Sequence, residues 1–300
     1  MRNTFINTLC DLAEENQDVF LLCGDLGYSV LEPFAEKFPE RFLNVGVAEQ
    51  NMIAVASGLS AEGYNVFCYS IGNFPTLRCI EQIRYDVCYH KANVKVVAVG
   101  AGYAYGALGV SHHTTEDIAM LRALPGMLLC SPADAIEARL AADFMVRRNG
   151  PGYVRINKSG EPNVHSCVPH EFLPGKVLWV KEGQEVLVLT TGAITHSICL
   201  ELTRSHPDWA LASVPFIGNY DSALLVDLAK RFNQIVTVEE HQLNGGFGSS
   251  LLEALGDLYS SGQLPHMPKL RRLAIPNSFI AKAGTQEYLR NLAGLTLDRI

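Results

Sequence analysis

Apolar positions in the first half of the chain switch repeatedly between two periods. Phe5, Ile6, Leu9, Cys10 and Leu12 recur at helical spacing, and Val19-Phe20-Leu21-Leu22 is a continuous apolar run of the kind a buried strand presents. The same reading predicts strands over 42–45, 65–69, 94–99, 127–130 and 152–156. Between them it predicts helices over 48–62, 76–89, 117–123 and 133–147. The strand over 94–99 has almost no polar residue, as the centre of a parallel sheet requires. The helix over 48–62 is rich in small residues and can approach another backbone closely. From 157 to 176 periodicity disappears among Gly, Pro, His and Ser, which marks a connection. Alternation then resumes, with strands over 186–190, 210–214, 235–238 and 270–274 and helices over 196–204, 222–231, 247–259 and 285–292. Alternating strands and helices predict an α/β fold of two doubly wound domains, 1–165 and 177–300, joined by a linker at 166–176.

Composition narrows the function classes. Of 300 residues, 48% are hydrophobic and 18% charged, so the chain is expected to fold around a large core. Its net charge is −7, which disfavours nucleic acid as a main partner. Most of the eight cysteines sit in apolar runs without Cys-x-x-Cys spacing and read as small buried hydrophobes. The N-terminal residues lack the apolar stretch of a signal peptide, and no run is long enough to span a bilayer. A cytoplasmic protein with no membrane partner is the expectation.

Three landmarks fall at ends of predicted strands, where open α/β sheets bind ligands. They are Gly24-Asp25-Leu26-Gly27, Val45-Gly46-Val47-Ala48-Glu49-Gln50-Asn51, and Tyr69-Ser70-Ile71-Gly72-Asn73-Phe74. Taken singly, Glu49 is a carboxylate complementing a helix N-terminus, Asp25 a turn residue, and Tyr69 and Phe74 core aromatics.

Together they resemble the thiamine diphosphate-dependent transketolase family. Val45–Met52 is similar to the Glu-bearing motif of that family's pyrimidine-binding domain. The order continues through Glu81-Gln82-Ile83-Arg84, Gly109-Val110-Ser111-His112-His113, Asp117-Ile118-Ala119 and Tyr153-Val154-Arg155. Late in the chain, Val238-Glu239-Glu240-His241 and Gly245–Ser249 are similar to the family's C-terminal domain. The resemblance covers nearly the whole chain and implies the C-terminal half of a transketolase standing as a separate polypeptide. The family's Gly-Asp-Gly…Asn motif, which holds the diphosphate through Mg²⁺, is missing. The resemblance therefore implies a diphosphate-binding partner chain that carries the Mg²⁺, around a homodimer core in an α2β2 assembly. It places no metal ligand in this chain.

The resemblance also implies roles for individual residues. Glu49 would bond N1′ of the cofactor's aminopyrimidine and serve with His112 in catalysis. Phe74 would stack on that ring, Ile71 would share its wall, and Asp25 would lie toward the thiazolium. Arg2, Ser29, His112 and Arg155 would hold a small phosphosugar. His90 and His113 are read as loop histidines, and Arg78 and Arg84 as ordinary helix charges. Glu239, Glu240 and His241 are read as a strand end packed at a subunit contact. Aligned on His112, a family Asp falls at Leu108 and a family His at Gly100, so the substrate is expected to differ from the usual pentose phosphates. The expected reaction is transfer of a two-carbon ketol unit from a ketose to an aldehyde. The alternatives are the β subunit of a 2-oxo acid dehydrogenase E1 component, a deoxyxylulose phosphate synthase-like enzyme, and a non-catalytic scaffold.

Overall fold

The structure is a computed structural model and describes residues 1–158 and 160–300. Six strands of its first half are β1 (Val19–Cys23), β2 (Phe42–Asn44), β3 (Asn65–Ile71), β4 (Val94–Val99), β5 (Leu128–Cys130) and β6 (Gly152–Ile156). They alternate with α1 (Arg2–Glu15), α2 (Glu32–Lys37), α3 (Glu49–Ala61), α4 (Ile80–Gln82), α5 (Asp117–Arg122) and α6 (Ala135–Arg147). The second half contributes β7 (Leu178–Lys181), β8 (Val186–Thr190), β9 (Ala210–Ser213), β10 (Phe216–Ile217), β11 (Gln234–Gln242) and β12 (Lys269–Ile275). Its helices are α7 (Ile194–Ser205), α8 (Ser222–Arg231), α9 (Phe247–Ser260) and α10 (Gln286–Ala293).

Two sheets result, with strand orders β10-β5-β6-β4-β3-β1-β2 and β12-β11-β8-β9-β7. Both are parallel except at one edge. There β10 runs antiparallel to β5 and β7 antiparallel to β9. Every residue of β1, β4 and β6 is buried, which explains why those strands read as continuous apolar runs. The two faces of the first sheet pack differently. Phe67, Val97 and Val99 meet Phe5, Leu9 and α6, while Cys68, Val96 and Ala98 meet Met52, Ile53 and Ala56 of α3. The second cluster continues through Ile118, Leu121 and Leu129 to Leu225, Leu251 and Leu255 of the second half, so the two halves share one apolar core.

The structure departs from the pattern reading in four places. The helix expected over 76–89 is a 3₁₀ turn (Leu77–Cys79), the single turn α4, and a π-helical stretch (Ile83–Tyr89). The short elements α2, β7 and β10 do not follow from the pattern, because two to six residues hold too little of a period. Strand β10 matters most. It leaves the second half to extend the first sheet, seating Phe216 between Phe144 and Phe172 with ring centroids 4.9 and 5.0 Å away. Among the described residues, no helix is long and apolar enough to cross a membrane.

Candidate active site

The chain passes from β1 outward to β2 and then back to β3 on the other side, creating a crevice at the C-terminal ends of these strands. Gly24 follows β1, Glu49 follows β2, and Ile71–Phe74 closes β3. The turns after β4 carry His112. Glu49 stands at the first position of α3 with only 2% of its surface exposed. Its Oε2 accepts a 2.7 Å hydrogen bond from Nη1 of Arg78, and among the described residues its Oε1 takes none. Gly24 keeps the Oε1 side open, since a Cβ at that position would lie 3.7 Å from this oxygen.

Arg78 links the parts. While holding Glu49, its guanidinium also lies 5.1 Å from the Phe74 ring centroid. Phe74 in turn meets the His112 ring edge-on at 5.3 Å. The structure thus brings Glu49, Phe74 and His112 together, and it corrects the expectation that Arg78 is an ordinary helix charge. The adjoining Cys79 Sγ donates to the Phe74 carbonyl. Burial and then the Glu49 charge push this thiol up to about 12, which keeps it protonated.

Two asparagines shape the loops, and neither stands out in the sequence. The Asn44 side chain accepts from the backbone N–H of both Asp25 and Gly46, tying the turn after β1 to the one before α3. Asn73 donates to the carbonyls of Ser111 and His113, tying the Phe74 loop to the His112 loop. Isolated asparagines in turns have many ordinary explanations, so spacing alone does not mark them. His112 itself shares a 3.0 Å hydrogen bond with Ser111 Oγ through Nδ1. His113 is buried edge-on against Tyr103, and burial lowers its pKa.

The remaining nominated residues are placed less centrally. Asp25 is exposed on its turn, accepting from Tyr28 and Asn44. Ile71 ends β3 half-buried. Ser29 is exposed, and its N–H donates to Glu32. Arg2 opens α1 and faces the buried Tyr69 hydroxyl, whose pKa burial raises and the Arg2 charge lowers. Arg155 is not a free phosphate ligand. It is 3% exposed, pairs with Asp117 at 2.7 Å, and donates to the carbonyls of Thr114 and Glu240. Tyr153 donates to the same carboxylate of Asp117. Arg155 therefore ties the two halves together.

Glu239 and Glu240 are likewise engaged within the chain. Glu240 accepts from the Tyr103 N–H and from Gln286 and Arg290, bridging the halves. Gly102 is needed beside it, because a Cβ there would come within 2.4 Å of the Glu240 side chain. Glu239 accepts the N–H groups of Phe247 and Gly248 at the start of α9, while burial pushes its carboxyl up to about 7. Among the described residues, no three His, Cys, Asp or Glu side chains converge as a metal site.

Fold and crevice define a two-domain α/β protein with a buried carboxylate beside an aromatic ring at a strand-order switch point. The first half matches the transketolase pyrimidine-binding domain over residues 1–162, and the second matches the transketolase C-terminal domain over 175–300. The chain belongs to the transketolase family. It is 31% identical to one of the subunits of the apulose-4-phosphate transketolase of Phocaeicola vulgatus, covering 95% of this chain and 90% of that one. It is 30% identical to the 6-deoxy-6-sulfo-D-fructose transketolase subunit SqwH of a Clostridium species, over 100% of this chain and 92% of that one. In structure it is similar to a split-gene transketolase described as an inactive β4 tetramer, with a TM-score of 0.84 and 33% identity. That match covers 98% of this chain and 93% of the other.

Proposed function

We propose that this chain is the pyrimidine-binding half of a two-chain, thiamine diphosphate-dependent transketolase. It moves a two-carbon ketol unit from a ketose to an aldehyde and turns over only with a partner chain that holds the diphosphate and Mg²⁺. The carrying observation is Glu49: a buried carboxylate with one oxygen held by Arg78 and the other free, beside the Phe74 ring. That donor set suits an aminopyrimidine, which offers a ring nitrogen to a carboxylate and a flat face to an aromatic. When bound, thiamine diphosphate supplies a nucleophilic carbon for carbonyl chemistry.

The chain's own residues have distinct tasks in this reading. Glu49 would hold the aminopyrimidine through a ring nitrogen and orient it, and Phe74 and Ile71 would cover the ring and exclude water. His112, edge-on to Phe74, donates to the substrate oxygen where negative charge develops. Asp25 borders the same crevice. Arg2 and Ser29 stand as candidates for an anionic substrate end. The similarity to transketolases named for apulose-4-phosphate and 6-deoxy-6-sulfo-D-fructose supports a ketose bearing such a group.

The test is calorimetry of thiamine diphosphate with Mg²⁺, on the full chain alone and with its partner chain. Binding only in the mixture, followed by turnover of phosphoketoses, is the expected result. Tight binding by the chain alone would refute a shared cofactor site. Glu49→Gln should lower kcat in the assembled enzyme by about 10²-fold or more. Unchanged turnover in that variant would remove Glu49 from catalysis, and absence of turnover in the unmodified pair would favour a scaffold role.

A further inference from the structure

We propose that a cleft at the opposite edge of the first sheet binds a small phosphorylated metabolite carrying a planar ring, of the nucleotide class. The cleft encloses about 680 Å³, within the range of small-molecule sites. Arg84, Lys91 and Arg148 supply its charge, and Tyr85 and Tyr89 supply its aromatic surface. These residues come from the π-helical stretch and turn before β4 and from the turn between α6 and β6. All of them precede strands, whereas Glu49, Phe74 and His112 follow strands. Six residues of β4 separate the two edges, which is about 20 Å at the usual rise of a strand. The cleft is therefore distinct from the crevice at Glu49.

Charge balance points to an anion. The lining includes no Asp or Glu among the described residues. Among the described residues, Arg84, Lys91 and Arg148 form no ion pair, in a chain whose net charge is −7. Arg148 donates Nη1 to the Pro151 carbonyl, and the remaining guanidinium N–H groups take no partner among the described residues. Arg84 lies 4.7 Å from the Tyr85 ring centroid. Close by, Lys95 is fully buried and, among the described residues, donates only to the side-chain oxygens of Asn65 and Asn93. Burial and then the Arg148 charge depress this ammonium to about 7. Arg84 and Lys91 are exposed and Arg148 half-buried, so the three cations repel one another without counter-charge, and a phosphate relieves that repulsion through the Arg fork and the Lys point charge. Tyr85 and Tyr89 are exposed and supply aromatic surface against which a planar base can pack, with Arg84 already over the Tyr85 ring.

The cleft also connects to the catalytic crevice. The helical segment that carries Tyr85 and Tyr89 is continuous with the turn carrying Arg78, which holds Glu49. A π-helical stretch at this position is a frequent mark of a functional segment. A ligand in the cleft grips the far end of the element that orders the crevice.

The experiment is calorimetry of the full chain with ADP as the probe and with adenosine and inorganic phosphate as controls. One ADP should bind per chain, at least about tenfold tighter than either control. The double variant Arg84→Gln/Lys91→Gln changes only exposed side chains, so its melting temperature should hold while ADP binding weakens about tenfold or more. Glu49→Gln should leave ADP binding unchanged. No ADP binding at millimolar concentration overturns the proposal, and equal affinity for inorganic phosphate overturns the assignment of a ring. Loss of binding in Glu49→Gln but not in the double variant places ADP in the crevice and refutes the cleft. If the double variant instead splits an oligomer without affecting ADP, the cleft is covered by a second copy and the proposal fails.

Discussion

His241 shows how a single hydrogen-bond pattern sets a charge state. Its Nδ1 faces the Gln242 carbonyl and must donate, while its Nε2 accepts the Ala119 N–H and must be bare. Protonating Nε2 would set two N–H groups against each other, and burial depresses the pKa to about 4. A histidine depressed when folded contributes stability above its unfolded pKa of about 6.5, and that stability is lost as pH falls toward 4. The His241 share of that loss is about 3 kcal/mol, read as the difference between the denaturant-unfolding profiles of the unmodified chain and His241→Asn across pH 7 to 4. The buried Glu239 carboxyl, raised to about 7 and 3.9 Å from His241, acts with the opposite sign over the same range, so the difference and not the net slope is the readout. Identical profiles for the two proteins would remove His241 from the balance. Arg155 yields an opposite test. Arg155→Met strands the buried Asp117 carboxylate and should cost about 3–5 kcal/mol, with little change in KM once the enzyme is assembled. A raised KM at unchanged stability would restore its role as a phosphate ligand.

At the level of elements, strand β10 is the feature that periodicity misses and the fold depends on. A break in sequence near 166–176 separates the two alternating patterns, yet the first sheet is completed by residues 216 and 217. Phe216→Ala removes a ring buried between Phe144 and Phe172 and should destabilise the whole chain by about 3–5 kcal/mol in a single unfolding transition. Two separate transitions, with only the second half shifted, would show that the strand is dispensable to the first sheet. Helix α3 was legible because a Glu opens it and apolar residues on one face meet the sheet. The π-helical stretch after Arg78 was not, because its apolar positions Ile83, Val87 and Cys88 also suit ordinary helical spacing.

Across the whole molecule, apolar side chains ring the crevice. Tyr28, Leu43, Val47, Leu77, Leu108 and Val110 are all exposed there, although each belongs to a loop or edge beside the candidate site. Isolated exposed hydrophobics are ordinary, but this many around one opening suit docking of the proposed diphosphate-binding partner chain. Val47→Glu should therefore weaken assembly with that partner by about tenfold or more in equilibrium sedimentation of the mixture; unchanged assembly would remove this rim from the partner contact.

Alternating periods were enough to place two α/β domains, because a period is local in sequence, whereas Glu49, Phe74 and His112 were nominated by the resemblance of their ordered motifs to the transketolase family. Tertiary structure alone decided that Arg78 holds Glu49 and that Arg155 is locked to Asp117. It also decided that Glu240 bridges the two halves and that cations without counter-charges collect on the far edge of the sheet. These outcomes depend on which charges meet across long separations in the chain. Spacing along a sequence carries no record of such meetings, and only the packing of both sheets onto one core brings them about.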